Sequence, residues 1–225
     1  MIKGIVFDLD GVLLSTDHLH YKAWKALANR PGIPFGLQQG DRCRGISRIE
    51  SLEIVLENST VNYTMEEKES LAQEKNEHYR TSLLSLTPSD IPQESVLVLT
   101  ELRRRGYKLA LASGSRNATL ILQKTGLDKL LDGVVEGNDI AHSKPHPEVF
   151  LKAVQTLNLI PKECLGVDDA GAGIQAIRTA GMVPVAIGPA AQAEMGDQNL
   201  TKLTQLLVLC PKLETETSSD AFSRM

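Results

Sequence analysis

In GIVFDLDGVL (residues 4–13) an apolar run, Ile5-Val6-Phe7, stops at two carboxylates, Asp8 and Asp10, with Gly11 behind them. A short continuous apolar run is the pattern of a buried strand. Two like charges at its end repel, and burial of the run desolvates them in part. A compensating positive charge is therefore expected at that point of the fold.

The second half of the chain repeats the pattern. YKLALA (107–112), DGVVEG (132–137), CLGV (164–167) and a last run, PVAIG (184–188), are strand-like. Between them lie helical stretches: SVLVLTELRRR (95–105) stopped by Gly106, NATLILQKTG (117–126) closed by Gly126, PEVFLKAVQTLN (147–158) with Pro147 at its first turn, and AGIQAIRTAG (172–181) ended by Gly181. Strands alternating with helices imply a parallel sheet covered on both faces. The expected class is α/β, a doubly wound, Rossmann-like parallel sheet.

Residues 15–90 break the rhythm. They are helical in pattern, with two capping boxes, SRIE (47–50) and TMEE (64–67), and no convincing strand. An all-helical cap over 15–90 is thus expected to interrupt a core domain formed by 1–14 and 91–210. Such lids gate sites. The polar, aperiodic residues 211–225 are expected to form a frayed tail.

Ligands of open α/β sheets sit at the carboxyl ends of the strands. There the sequence places Asp8 and Asp10, then Ser113 in ASGSRN, Lys144 in HSKPHP, and Asp168 and Asp169 in DDAGAG. Clustered carboxylates suit Mg²⁺, which needs only two or three protein oxygens. The Ser113 loop, with Gly114 and a helix start beside it, suits an anion. Mg²⁺ and Lys144 would set +3 against at most −4 from the four aspartates. Cation, anion cradle and lysine together point to a phosphoryl group.

Composition narrows the partners. The 225 residues are 42% hydrophobic and 23% charged, enough for a packed core. A net charge of −4, without a basic stripe, argues against a nucleic-acid binder. No run approaches the length of a membrane span, and no basic leader precedes the first strand, so a cytoplasmic protein without a membrane partner is expected. Cys43, Cys164 and Cys210 are scattered and odd in number, the pattern of reduced thiols rather than of a disulfide frame or zinc site. His18 and His20 stand two apart on one helix and face different ways, which argues against a zinc pair.

DLDGVL, LASGSRN, SKPHPEVF and GVDDAGAGIQAI resemble, in order, the four motifs of the haloacid dehalogenase (HAD) superfamily of phosphotransferases. HLHYKAWKAL (18–27), RGISRIESL (44–52) and EKNEHY (74–79) bring the likeness closer to its sugar-phosphate mutases, over about residues 1–190. The resemblance implies that Asp8 is the nucleophile and carries the phosphoryl group, and that Asp10 is the general acid and base. It implies Mg²⁺ held by Asp8, the Asp10 carbonyl and Asp169, with Asp168 alongside. Ser113, Gly114, Asn117 and Lys144 would bind phosphate. In the cap, Thr16 and His20 match residues that couple closure to Asp10, Arg48 matches an arginine for the distal phosphate, and Lys75 and Asn76 match a sugar- and phosphate-binding pair. Trp24, the sole tryptophan, joins that cap set, although lid core would equally account for it.

Two features support the cap assignments independently. Lys75 falls on the apolar stripe of its helix, four residues after Leu71 and four before Tyr79. Arg48 occupies a helical first turn, where the dipole disfavours a cation. The implied activity is interconversion of β-D-glucose 1-phosphate and glucose 6-phosphate through a 1,6-bisphosphate, by a monomer. A sugar-phosphate phosphatase of the same fold is the alternative, and a phospho-aspartate switch without catalysis a third. Ser15 stands where the family commonly has Asp, Asp168 where Glu is frequent, and residues 89–96 lack the usual Pro-Gly after the lid.

Overall fold

The computed structural model describes residues 1–43 and 46–214. At its centre is a parallel sheet of β1 (Gly4–Phe7), β2 (Lys108–Ala112), β3 (Gly133–Val135), β4 (Cys164–Asp168), β5 (Val183–Ile187) and β6 (Gln198–Leu200). The strands lie in the order β3-β2-β1-β4-β5-β6. The chain therefore reverses its direction of travel between β1 and β4, the switch point at which such sheets bind ligands.

The helices, in chain order, are α1 (Asp17–Asn29), α2 (Leu37–Arg42), α3 (Arg48–Leu56), α4 (Met65–Leu83), α5 (Gln93–Arg104), α6 (Ala118–Thr125), α7 (Glu148–Thr156), α8 (Gly171–Thr179), α9 (Gly188–Gln192) and α10 (Leu206–Leu209). The period-2 geometry of a strand sorts the apolar residues onto two faces. Ile5, Phe7, Leu109, Leu111 and Val167 pack with α5 and α6, while Val6, Ala110 and Ala112 pack with α7 and α8. Each large side chain fully buried in this way stabilises the fold by about 1.5–3 kcal/mol.

Helices α1–α4 lie between β1 and β2 in sequence, and no strand interrupts them among the described residues. Trp24, Leu27, Phe35, Leu52 and Val55 give them a core of their own. Leu19, Ala23, Tyr79 and Leu83 belong instead to the sheet-side cluster. The two helices nearest the chain crossings, α1 and α4, thus bind the inserted segment to the sheet. Both capping boxes form: the Ser47 hydroxyl accepts the Glu50 N–H at 3.3 Å, and the Thr64 hydroxyl the Glu67 N–H at 3.2 Å.

Three expectations need correction. PVAIG is not the last strand, because β6 follows it. That strand has three residues, of which Gln198 and Asn199 are polar and exposed, so it leaves no apolar run to notice. Pro147 caps α7 from outside rather than sitting in its first turn. The start of the expected tail is docked: Tyr107 Oη donates to the Pro211 carbonyl at 2.9 Å, and the Leu213 N–H to the Arg105 carbonyl at 3.0 Å. Residues 215–225 lie outside the described residues, as do Arg44 and Gly45 of the RGISRIESL segment.

Candidate active site

Four neighbouring strands deliver the site. Phe7 pairs with Val167 in register, so Asp8, one residue on, stands beside Asp168, the last residue of β4. The Asp8 N–H donates to the Val167 carbonyl at 2.9 Å, which fixes the backbone at the turn. Ser113 follows β2, and its N–H donates to the Val135 carbonyl at the end of β3. The loop after β3 returns to the same edge and brings in Lys144.

Lys144 is the hub of the acid cluster. Its Nζ donates to Asp8 Oδ1 at 2.5 Å and to Asp168 Oδ2 at 2.7 Å, and it lies 4.9 Å from the centroid of the Phe150 ring. Burial opposes its charge, but Asp168 and Asp8 override burial and hold the ammonium protonated above the usual lysine range. The other oxygen of Asp168 accepts the Ala170 N–H at 3.0 Å. Asp168 thereby orients Lys144, each of its oxygens accepting one hydrogen bond.

Two glycines reserve room for carboxylates. Gly11 has φ +83°, and a Cβ there would come within 2.1 Å of Asp169 Oδ2. Only glycine lets Asp169 lie against the turn after Asp10, where Leu13 and Leu14 N–H groups converge on the Leu9 carbonyl. A Cβ on Gly173 would meet the Asp168 carboxyl carbon at 2.0 Å.

This donor set fits a hard divalent cation. Burial pushes Asp8 up to about 8 against the pull of Lys144, with Asp168 and Asp10 adding to the rise. Burial, then Asp168, raises Asp169 to about 6. One ammonium does not balance these acids. A hard cation that keeps several waters needs few protein oxygens. Asp8 and Asp169 both line the cleft where such a cation would sit.

Asp10 faces the cap. Its Oδ1 accepts the Thr16 N–H at 2.7 Å and the Thr16 hydroxyl at 2.6 Å, and that hydroxyl shares a 2.8 Å hydrogen bond with Tyr79 of α4. Burial raises the Asp10 pKa, and the two Thr16 bonds oppose the rise. Thr16 is wholly buried. It lies behind Asp10, not in the cavity, so it is not a substrate-contacting residue: its hydroxyl is spent on Asp10 and Tyr79.

The far side of the cleft is positive. Lys75 is 3% exposed, and its Nζ lies 2.8 Å from His20 Nδ1, 4.5 Å from the Trp24 ring centroid and 4.9 Å from that of Tyr79. Burial, then Arg48, lowers Lys75 to about 7. Burial, then Lys75 and Arg48, drives His20 well below its ordinary value, so its neutral ring accepts from the ammonium. Trp24 is buried in the helical core and presents a face beneath Lys75. Arg48 Nη2 donates to Asn76 Oδ1 at 3.0 Å.

Asn117 departs from its expected role. Its N–H donates to Ser115 Oγ, and its side chain bridges to α4, donating to Asn76 Oδ1 at 3.0 Å and accepting from Arg80 at 3.0 Å. It ties core to cap instead of offering a free amide to phosphate. Ser113, 3% exposed, accepts the Ser115 N–H at 3.1 Å. Gly114 beside it borders open space.

Arg116 was not singled out from sequence. It lines the cavity from the core side and lies close enough to Arg48 to depress that guanidinium, after burial. The signal was present: a cation just before the start of α6, where the helix dipole disfavours it. The resulting cleft, ≈ 1480 Å³, is lined at one end by the aspartates and Lys144, and at the other by Arg48, Lys75 and Arg116. It is larger than the pocket that most small ligands fill.

Comparison with known proteins agrees with this geometry. A haloacid dehalogenase-like hydrolase family model matches residues 2–181. The chain is 37% identical to a β-phosphoglucomutase of Bacillus subtilis over 210 residues, 92% of each protein. It is 32% identical to the fructose-1-phosphate phosphatase YqaB of Escherichia coli over 182 residues, covering 80% of this chain and 93% of that one. Among solved structures, a β-phosphoglucomutase from Clostridium difficile superposes with a TM-score of 0.83 at 35% identity, covering 92% and 93% of the two chains.

Proposed function

The chain belongs to the haloacid dehalogenase-like hydrolase family and is an enzyme of it, and on that premise we propose that it is a β-phosphoglucomutase. In this reading it interconverts β-D-glucose 1-phosphate and glucose 6-phosphate through a phosphoryl group carried on Asp8 and a glucose 1,6-bisphosphate intermediate. Residues 15–90 act as the lid over a core of 1–14 and 91–210.

One observation carries the reading. Arg48, Lys75 and Arg116 face the cleft opposite Asp8, and none pairs with a carboxylate through any salt bridge found among the described residues. Lys75 is buried and Arg48 half-buried, and a cation in either setting without a counter-ion is costly. A second phosphate on the substrate would supply the missing charge. A monoester hydrolase needs the Asp8 end alone, whereas a bisphosphate that must present either phosphate to Asp8 needs both ends.

The chemistry follows from the contacts. An Asp8 oxygen attacks phosphorus and the sugar oxygen leaves. Asp10, whose pKa burial raises, donates the proton to that oxygen and takes one from the hydroxyl that attacks next. Lys144, fixed by Asp168, offers Asp8 and the transferring oxygens a permanent positive charge. Ser113 and the Gly114 amide hold the phosphoryl oxygens. Asp8, Asp169 and the Asp10 carbonyl would hold Mg²⁺, which when bound would offset the negative charge that repels a phosphate. Thr16 links Asp10 to Tyr79 on α4, and His20 stacks on Tyr79 at 3.9 Å while touching Lys75. The position of the cap helix and the acid–base group are thereby connected.

A phosphatase is the second reading, favoured by the likeness to the Escherichia coli fructose-1-phosphate phosphatase. The two part in one assay. With β-glucose 1-phosphate, Mg²⁺ and a trace of bisphosphate, the mutase yields glucose 6-phosphate. Release of inorganic phosphate with no glucose 6-phosphate would overturn it in favour of the phosphatase.

A further inference from the structure

The loop between β3 and α7 holds a side-chain cluster that phosphoryl transfer does not use. His142, His146 and Glu148 each present a ligand atom, all within 4.8 Å of one another. The two imidazoles face each other with centroids 4.5 Å apart and planes inclined at 34°. His142 Nδ1 lies 3.1 Å from Glu148 Oε2.

The carboxylate is fixed in place. Glu148 accepts the Ala141 N–H at 3.1 and 3.2 Å and the His142 N–H at 2.9 Å, and Lys152 Nζ stands 2.8 Å from its Oε1. It is also the first residue of α7, on a rigid element. Outer contacts of this kind orient metal-binding side chains and strengthen their affinity. Both histidines are exposed, so an ion has an open path to them. The Glu148 N–H donates to His146 Nδ1 at 3.3 Å, a weak bond that a metal on that nitrogen would replace.

We propose that His142, His146 and Glu148 bind one borderline-soft divalent cation, with Zn²⁺ the representative ion. Two imidazoles and a carboxylate suit zinc, nickel or copper, whereas Mg²⁺ prefers oxygen. Three protein ligands leave a fourth position for water. The site is distinct from the acid cluster around Asp8. Ala141, Ser143 and Lys144 of the same loop line the active cleft, while the histidines stand two residues to either side of Lys144. An ion on them pins both ends of the segment that carries the catalytic ammonium.

The test is a titration of the full, untagged chain with Zn²⁺ against a chromophoric chelator, in millimolar Mg²⁺ to saturate the oxygen site. One tightly held equivalent is expected. His142→Ala and His146→Ala should each weaken it by about tenfold or more, and Asp169→Asn should leave it in place. Both histidine variants alter exposed rings and are expected to fold. Hydrogen exchange at residues 142–146 should slow when Zn²⁺ is added. Binding of less than roughly half an equivalent, or equal binding by the His142→Ala/His146→Ala double variant, overturns the proposal. So does loss of the equivalent in Asp169→Asn alone.

Discussion

The two ends of the cleft are built on opposite plans. At the sheet edge, Asp8, Asp10, Asp168 and Asp169 crowd around one ammonium, Lys144. At the other end, Arg48 and Lys75 of the cap and Arg116 of a core loop line the cleft without a carboxylate in ion-pair contact among the described residues. Neither end is balanced by its own charges, and in a partly dry site that imbalance is expensive. The first lacks a cation and the second an anion. Chemistry is assigned to the first end and choice of substrate to the second, so damage to each should look different.

Removal of the nucleophile is the harshest test of the first end. Asp8→Ala should abolish transfer from sugar phosphates and small aryl phosphates alike, by about 10⁴-fold or more. The fold should survive, since Asp168 still holds Lys144. Retained turnover in rapid-quench assays would end the phospho-aspartate proposal. Lys144→Met comes next. Loss of a preorganised charge should lower kcat by about 10²–10³-fold on both substrates. It also leaves Asp8 and Asp168 buried without a partner, at a cost to stability of about 3 kcal/mol at neutral pH. Denaturant titrations of variant and parent at neutral pH would read that cost.

The same contrast explains what the sequence disclosed. The acid end is written in strand-end positions. An apolar run that stops at Asp8, or at Asp168, needs no tertiary knowledge, because a parallel sheet brings every strand's end to one edge. Lys144 was legible in the same way, although eight residues of loop separate it from Val135 at the end of β3. The cap end depends on packing between helices. The stripe through Leu71, Lys75 and Tyr79 marked Lys75 as turned inward, but not that it would rest on Trp24 and His20. Arg116 and the Thr16–Tyr79 contact join segments far apart in sequence, 63 residues in the second case. No local periodicity encodes such a pairing. Asn117 misled for the same reason, since its loop position suits phosphate, while its side chain reaches a helix some forty residues earlier.

The cap end should fail by selectivity. Arg116→Ala or Lys75→Met should raise KM for the bisphosphate by about 10–100-fold, the worth of one charge-assisted hydrogen bond, and leave hydrolysis of a small aryl phosphate nearly unchanged. Equal losses on both substrates would break the division of labour. Lys75 adds a pH signature. Its pKa is lowered to about 7, so the ammonium is present below that pH and lost above it. Affinity for the bisphosphate should therefore weaken as pH rises from 7 to 8.5, and Lys75→Met should flatten that limb.

The smallest expected effect tests the contact that joins the two ends. Thr16 gives Asp10 two hydrogen bonds, and both favour the ionised carboxylate. Thr16→Val keeps the shape and the backbone N–H but removes the hydroxyl. The Asp10 pKa should then rise by roughly one unit, since that bond is charge-assisted and about 1.4 kcal/mol corresponds to one unit. Transfer from the bisphosphate to Asp8 requires Asp10 protonated, so its alkaline limb should move to higher pH, with only a modest fall in the plateau rate. Tyr79→Phe separates the two hydroxyls, because Tyr79 hydrogen-bonds Thr16 and not Asp10. If Thr16 acts on Asp10 directly, Tyr79→Phe leaves the limb in place and changes the bisphosphate KM through the cap. If Tyr79→Phe moves the limb as far as Thr16→Val does, the acid–base group is set by the cap helix, and the two ends of the cleft are one titrating unit.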